Sequence, residues 1–104
     1  MEPNKYSRSK IFRIVSNVSN KEYIGTTIQS LAERMSDFKK QNRKLPKVLS
    51  DMFEEDGIEN CSIILIENYP CNNVEELNMR ERYWIEQRDC INKRVVKTAY
   101  GYMK

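Results

Sequence analysis

Apolar β-branched and aromatic residues interspersed with polar ones over Lys10-Ile-Phe-Arg-Ile-Val-Ser16 have strand-like content, and this predicts a first strand over 10–16. Asn17-Val-Ser-Asn20 supplies turn formers, and Lys21-Glu-Tyr-Ile-Gly25 follows as a short second strand, so the two form an antiparallel hairpin. The period then changes. Ser30-Leu-Ala-Glu33 has a hydroxyl at the N-cap and a carboxylate three residues on, a capping box that predicts a helix over about 30–41 with Leu31, Met35 and Phe38 on its apolar stripe. Pro46 opens a further helix, with Val48, Leu49, Met52 and Phe53 inward, and Asp56-Gly57 stops it. Cys61-Ser-Ile-Ile-Leu-Ile-Glu-Asn68 is a near-continuous apolar run, the pattern expected of a central strand covered on both faces. Asn73-Val-Glu-Glu76 repeats the N-cap logic and opens a long helix to about Arg88.

The order ββααβα predicts an α+β fold, a small three-stranded antiparallel sheet flanked by helices. The expected core is Ile11, Ile14, Ile24, Leu31, Met35, Leu49, Ile63, Leu65, Leu77, Trp84 and Ile85. A chain of 104 residues holds one such domain. We read a flexible N-terminus over 1–9, the domain over 10–95 and a C-terminal tail over 96–104.

Composition narrows the chemistry. The chain is 39% apolar and 32% charged, which is compatible with a folded core. Its net charge of +3 suits a polyanionic partner without requiring one. Basic residues gather at Lys39, Lys40, Arg43, Lys44 and Lys47, and again at Lys93, Arg94 and Lys97, as either solvated surface or a phosphate-facing patch. Cys61, Cys71 and Cys90 lack CxxC spacing and the chain has no histidine, which argues against structural zinc and a disulfide framework. There is no signal-peptide-like or membrane-length apolar segment, so an intracellular location in cytoplasm or nucleus is expected.

Two charges sit where charges are costly. In the last helix Val74, Leu77, Glu81, Trp84 and Ile85 share a face, so a carboxylate occupies the middle of the apolar stripe. An ion pair, hydrogen-bonded amides or a metal ion would explain it. Arg34 lies on the margin of another apolar face near a helix N-terminus, where the dipole disfavours a cation, and either Glu81 or a phosphate would answer it. Tyr23 ends the second strand and could aim its hydroxyl at the same region, although a strand tyrosine usually packs.

The positions of these residues along the chain resemble the GIY-YIG nuclease family across about residues 9–95. Lys10-Ile-Phe12 is similar to the first half-motif, Tyr23-Ile24-Gly25 reproduces the second, and the ten residues between them fit the family's hairpin. Leu31-Ala-Glu-Arg34 resembles its arginine-bearing helix, Met79–Ile85 its glutamate segment, and Cys90-Ile-Asn92 its closing asparagine motif. The resemblance implies a metal-dependent DNA endonuclease, nicking or structure-selective, with low sequence specificity. It gives Glu81 the role of sole carboxylate ligand to Mg²⁺ or Mn²⁺, Arg34 that of phosphate clamp, Tyr23 that of positioning or deprotonating water or hydrogen-bonding the phosphate, and Asn92 that of orienting Glu81 or metal waters. Lys39, Lys40, Arg43, Lys44, Lys93 and Arg94 would face DNA. Two positions depart from the family: Phe12 stands for a tyrosine that is a general-base candidate, and Phe38 where relatives often have histidine. The alternative is therefore a nucleic-acid-binding module of the same fold with weakened turnover. Phe12 is expected beside Tyr23, with its para position facing the same cleft.

Overall fold

The computed structural model describes residues 4–40 and 44–93. Strand β1 (Lys10–Ser16) turns through Asn20, which takes the left-handed φ of 64° that asparagine tolerates, into β2 (Glu22–Thr27). Helix α1 (Leu31–Phe38) follows, then α2 (Lys47–Asp56), β3 (Cys61–Asn68) and α3 (Val74–Gln87), with three-ten turns at Lys5–Arg8, Ile58–Asn60 and Ile91–Lys93. The order is the expected ββααβα, and the sheet is three-stranded and antiparallel.

Local chemistry sets the boundaries. Ser30 Oγ accepts from the Glu33 amide at 3.1 Å while Glu33 Oε1 accepts from the Ser30 amide at 3.2 Å, so the capping box starts α1. The helix stops at Phe38, short of 41, because its last turn tightens: the Lys39 amide is shared between the carbonyls of Met35 and Ser36. Gly57, at a φ of 86°, ends α2. Asn73 caps α3 through the Glu76 amide at 3.0 Å.

The strand order is β2-β1-β3, which corrects one expectation: β3 is an edge strand and β1 is central. Consecutive residues Ile11 and Phe12 are at 0% and 1% exposure because β1 is covered on both faces. In β3 the apolar run has β1 on one side only, so Ile64 and Leu65 remain 39% and 40% exposed, and Leu65 is not core. Leu31, Ile63, Trp84 and Ile85 pack from the periphery, while Phe12, Phe38, Met52, Cys61, Cys90 and Ile91 are buried beyond the expected list.

One face of the sheet, carrying Phe12, Ile14 and Tyr23, is covered by Met35 and Phe38 of α1 and Leu49 and Met52 of α2. The other, carrying Ile11 and Ile24, is covered by Leu77, Trp84 and Ile85 of α3. A register shift sets Ile11 opposite Glu67 but Phe12 opposite Leu65, and Glu67 thereby meets α3, where it accepts from Arg80 at 2.7 and 2.8 Å and from Trp84 Nε1 at 2.9 Å. Among the described residues no helix is long and apolar enough to cross a membrane.

Candidate active site

Tyr23 lies on β2 opposite Ile14, on the face that α1 and α2 cover. Its phenol is pushed above its ordinary value, first by burial and next by the Glu81 carboxylate, with Arg34 pulling the other way. Both charges therefore act on one hydroxyl. Glu81 gets there although α3 covers the opposite face, because α3 runs along β2 and β2 is an edge strand, past which a side chain can reach.

Glu81 itself is half-buried, and burial alone raises its pKa. Among the described residues it accepts no hydrogen bond and makes no ion pair. Arg34 mirrors it: its Nε is buried without a hydrogen-bond partner, and its guanidinium carbon lies 4.4 Å from the centre of the Phe38 ring. The two do not form an ion pair with each other, so among the described residues neither charge is explained by a structural pair. Elsewhere this molecule does satisfy such groups. Glu22, at 8% exposure, receives Arg13 at 2.8 Å and Arg88 at 2.5 and 3.1 Å, and although burial alone would raise its pKa, those two guanidiniums hold it below the ordinary value. Glu67 is held low by Arg80, ahead of Trp84, against the opposing effect of burial. A desolvated carboxylate and a desolvated guanidinium left unpaired beside one hydroxyl are costly, and a ligand that brings a cation to the first and a phosphate to the second would offset the cost of both.

Asn92 joins the group differently from what was expected. Its carboxamide accepts from the Ile24 amide at 2.8 Å and donates to the Ile24 carbonyl at 2.9 Å. Both ends of the side chain are therefore engaged on β2, on the residue next to Tyr23.

Phe12 also departs from expectation. It shares a face with Tyr23, but its cross-strand partner is Gly25, and its ring is 1% exposed rather than opening on a cleft. A Cβ at Gly25 would lie 2.5 Å from Phe12 Cζ. The glycine is needed for this close approach rather than for an unusual φ. Beyond Phe12 the ring of Phe38 follows at 6.1 Å, edge to face, and Phe53 at a further 6.1 Å.

Of the basic residues, Lys39 and Lys40 follow directly on the helix that carries Arg34 and are exposed, Lys40 lying 3.5 Å from Asp37. Lys44 is exposed, and Lys93 donates to the Glu86 carbonyl at 3.4 Å. Arg43, Arg94 and the tail at 96–104 lie outside the described residues. The Arg13–Glu22–Arg88 and Glu67–Arg80–Trp84 networks escaped the sequence reading. One signal was available, since alternation puts Glu22 on the same strand face as the fully buried Ile24.

Comparison with known proteins gives two matches. Residues 9–94 match the family model described as the GIY-YIG catalytic domain. The chain is also 30% identical over 83 residues to "Uncharacterized protein 019R" of Invertebrate iridescent virus 6, an alignment that covers 79% of this chain. The match spans 30% of that viral relative's own length. No solved structure matches the chain.

Proposed function

Since this chain belongs to the GIY-YIG family, whose catalytic-domain model covers residues 9–94, we propose that it is a metal-dependent endonuclease that hydrolyses phosphodiester bonds in DNA. The observation that carries the reading is that half-buried Glu81 and Arg34, whose Nε is buried, are without ion-pair partners among the described residues and both act on the one hydroxyl of Tyr23.

GIY-YIG nucleases generally depend on a divalent metal, and the donor set here fits a hard one. Among the described residues no three His, Cys, Asp or Glu side chains gather, and Glu81 would be the carboxylate that holds the cation. That suits magnesium or manganese, which retain most of their water, and not the closed N/S cage of structural zinc. Bound there, the cation supplies Lewis-acid polarisation of the phosphate and stabilises the leaving oxygen.

The protein's own groups supply the rest. Arg34, which no acceptor among the described residues engages, would meet the non-bridging oxygens, where charge develops as water attacks phosphorus, and its partial burial would strengthen that interaction. Tyr23, with its pKa raised, is a neutral hydroxyl at pH 7 and so orients the water or donates to the phosphate. Lys39, Lys40, Arg43, Lys44, Lys93 and Arg94 would track the backbone, giving salt-sensitive binding and low sequence specificity, in keeping with a nicking or structure-selective enzyme. A DNA substrate implies a cytoplasmic or nuclear setting.

One observation favours a second reading, a nucleic-acid-binding module with weakened turnover: Phe12 has no hydroxyl, and the raised pKa of Tyr23 leaves neither ring a base near neutral pH. Plasmid nicking with Mg²⁺ or Mn²⁺ against a chelator control decides. Cleavage that disappears with chelator, in Glu81→Ala and in Arg34→Ala is expected. A folded wild-type chain that binds DNA in a salt-sensitive way without cutting it would establish the binding module instead.

A further inference from the structure

The guanidinium of Arg34 has an unusual seat. Its Nε is buried and unbonded, and no carboxylate or carbonyl among the described residues holds it. What meets it is a ring face: Phe38, one helical turn later on α1, with its centre 4.4 Å from the guanidinium carbon. Phe38 is itself fixed, at 5% exposure, between Phe12 and Phe53, each with its ring centre 6.1 Å away. Phe12 in turn rests on the bare Cα of Gly25. An uninterrupted stack runs from the backbone of β2 through two phenyl rings to the cation.

A planar cation can be held in two ways. Hydrogen bonds to its edge consume the donors that a phosphate needs, whereas contact with its face leaves all of them available. We propose that Phe38 is a positioning residue that seats Arg34 through the face of its guanidinium, so that the orientation is fixed while the N–H edge stays free for an oxyanion. The inference rests on the nuclease reading only for the identity of that oxyanion as the scissile phosphate. The seat itself is a property of the apo protein. It also assigns a task to the stack beneath: Gly25 and Phe12 set the height of Phe38, and through it the position of Arg34.

The test reads Arg34 directly. In wild-type protein the Arg34 Nε–Hε NMR signal, assigned by its loss in Arg34→Lys, is expected to be shifted upfield by the ring current and slow to exchange with water. Phe38→Leu keeps an apolar side chain but removes the ring, and the signal should move to the position of an exposed arginine, whereas Phe38→Tyr and Phe38→Trp should retain the shift. In the cleavage assay Phe38→Leu should lower kcat by roughly 10- to 30-fold, the span expected of a desolvated cation–π contact. KM should change little and Phe38→Tyr should restore the rate, as for a group acting in the transition state. If Phe38→Leu melts below the working temperature, Phe38→Met, closer in volume and equally without a ring, takes its place. An Arg34 signal unmoved by either substitution in folded protein overturns the proposal. Absence of cleavage by wild-type protein defeats the nuclease reading, while the NMR comparison still decides the seat.

Discussion

Replacing Gly25 by alanine tests the stack at its base. In a strand interior alanine is intrinsically better than glycine by roughly 0.5–1 kcal/mol, so without tertiary contacts the change would stabilise the protein. The structure reverses that sign. The new methyl carbon would lie 2.5, 2.9 and 3.2 Å from three atoms of the Phe12 ring, where ordinary contact begins at 3.4 Å, so the ring must retreat by about 1 Å. It has no room to do so, being 1% exposed with Phe38 edge to face behind it. Overpacking of this kind costs about 1–3 kcal/mol, and the closed geometry points to the upper end. For a domain of this size a loss of ~3 kcal/mol lowers the melting temperature by about 10–20 °C. Urea denaturation should give the free energy and a thermal melt the shift. A double-mutant cycle isolates the cause: in a Phe12→Leu background Gly25→Ala should cost less than ~1 kcal/mol, a coupling energy of about 2 kcal/mol. A stabilising or neutral Gly25→Ala, or an equal penalty in both backgrounds, would show that the ring does not press on the glycine.

The other expectations concern neighbouring groups. Glu22 has a folded pKa below its ordinary value of 4.5, so its stabilisation is fully present above that pH and lost as pH falls through the folded pKa. Urea melts from pH 7 to pH 3 should therefore show wild type converging on Glu22→Gln, and a constant gap would refute it. At pH 7 that gap should be somewhat below the ~3–5 kcal/mol of a fully buried pair, since Arg13 and Arg88 are 29% and 33% exposed. Asn92→Ala removes two hydrogen bonds to Ile24 and should cost about 1–3 kcal/mol while speeding hydrogen exchange of the Ile24 amide; unchanged exchange would exclude the clamp. Glu81→Gln should leave stability equal or higher, because it removes a desolvated charge that nothing among the described residues pairs, and a clear destabilisation would mean a partner exists. Phe12→Tyr must bury a hydroxyl at a position 1% exposed and should cost about 1–3 kcal/mol in a thermal melt; a neutral result would mean the ring's para position has a polar partner.

Much of the fold was legible because its signals are local. The capping box at Ser30, the Asn73 cap and the glycine stop at Gly57 need only neighbouring residues, and the structure uses all three. What failed depended on order in the sheet. The run Ile63-Ile-Leu-Ile66 looks covered on both faces, but apolar content does not say whether a strand has one neighbour or two, and Leu65 accordingly lies 40% exposed. Conversely, two adjacent buried residues, Ile11 and Phe12, were the mark of the central strand, and only Ile11 was assigned to the core. For the candidate site, Glu81 and Arg34 were visible as charges on apolar stripes, since a buried charge is conspicuous in any periodicity. Whether they paired with each other was not visible, because that depends on how far α3 lies from α1. Asn92 shows the same limit: its position was readable, but the direction of its carboxamide was set by a strand some seventy residues earlier in the chain.

The Asn92 clamp also bears on what the sheet can join. An edge strand offers outward-facing amides and carbonyls to any passing chain in extended form. At the midpoint of β2 that offer is already taken: the carboxamide presents to Ile24 the same donor and acceptor that another peptide group would, and so serves as a one-residue substitute for a fourth strand. An incoming segment would have to evict it, giving up two good hydrogen bonds to form its own. The opposite margin, along β3, is met by no such substitute among the described residues. At Ile24, next to Tyr23, the β2 margin is thus closed to strand addition.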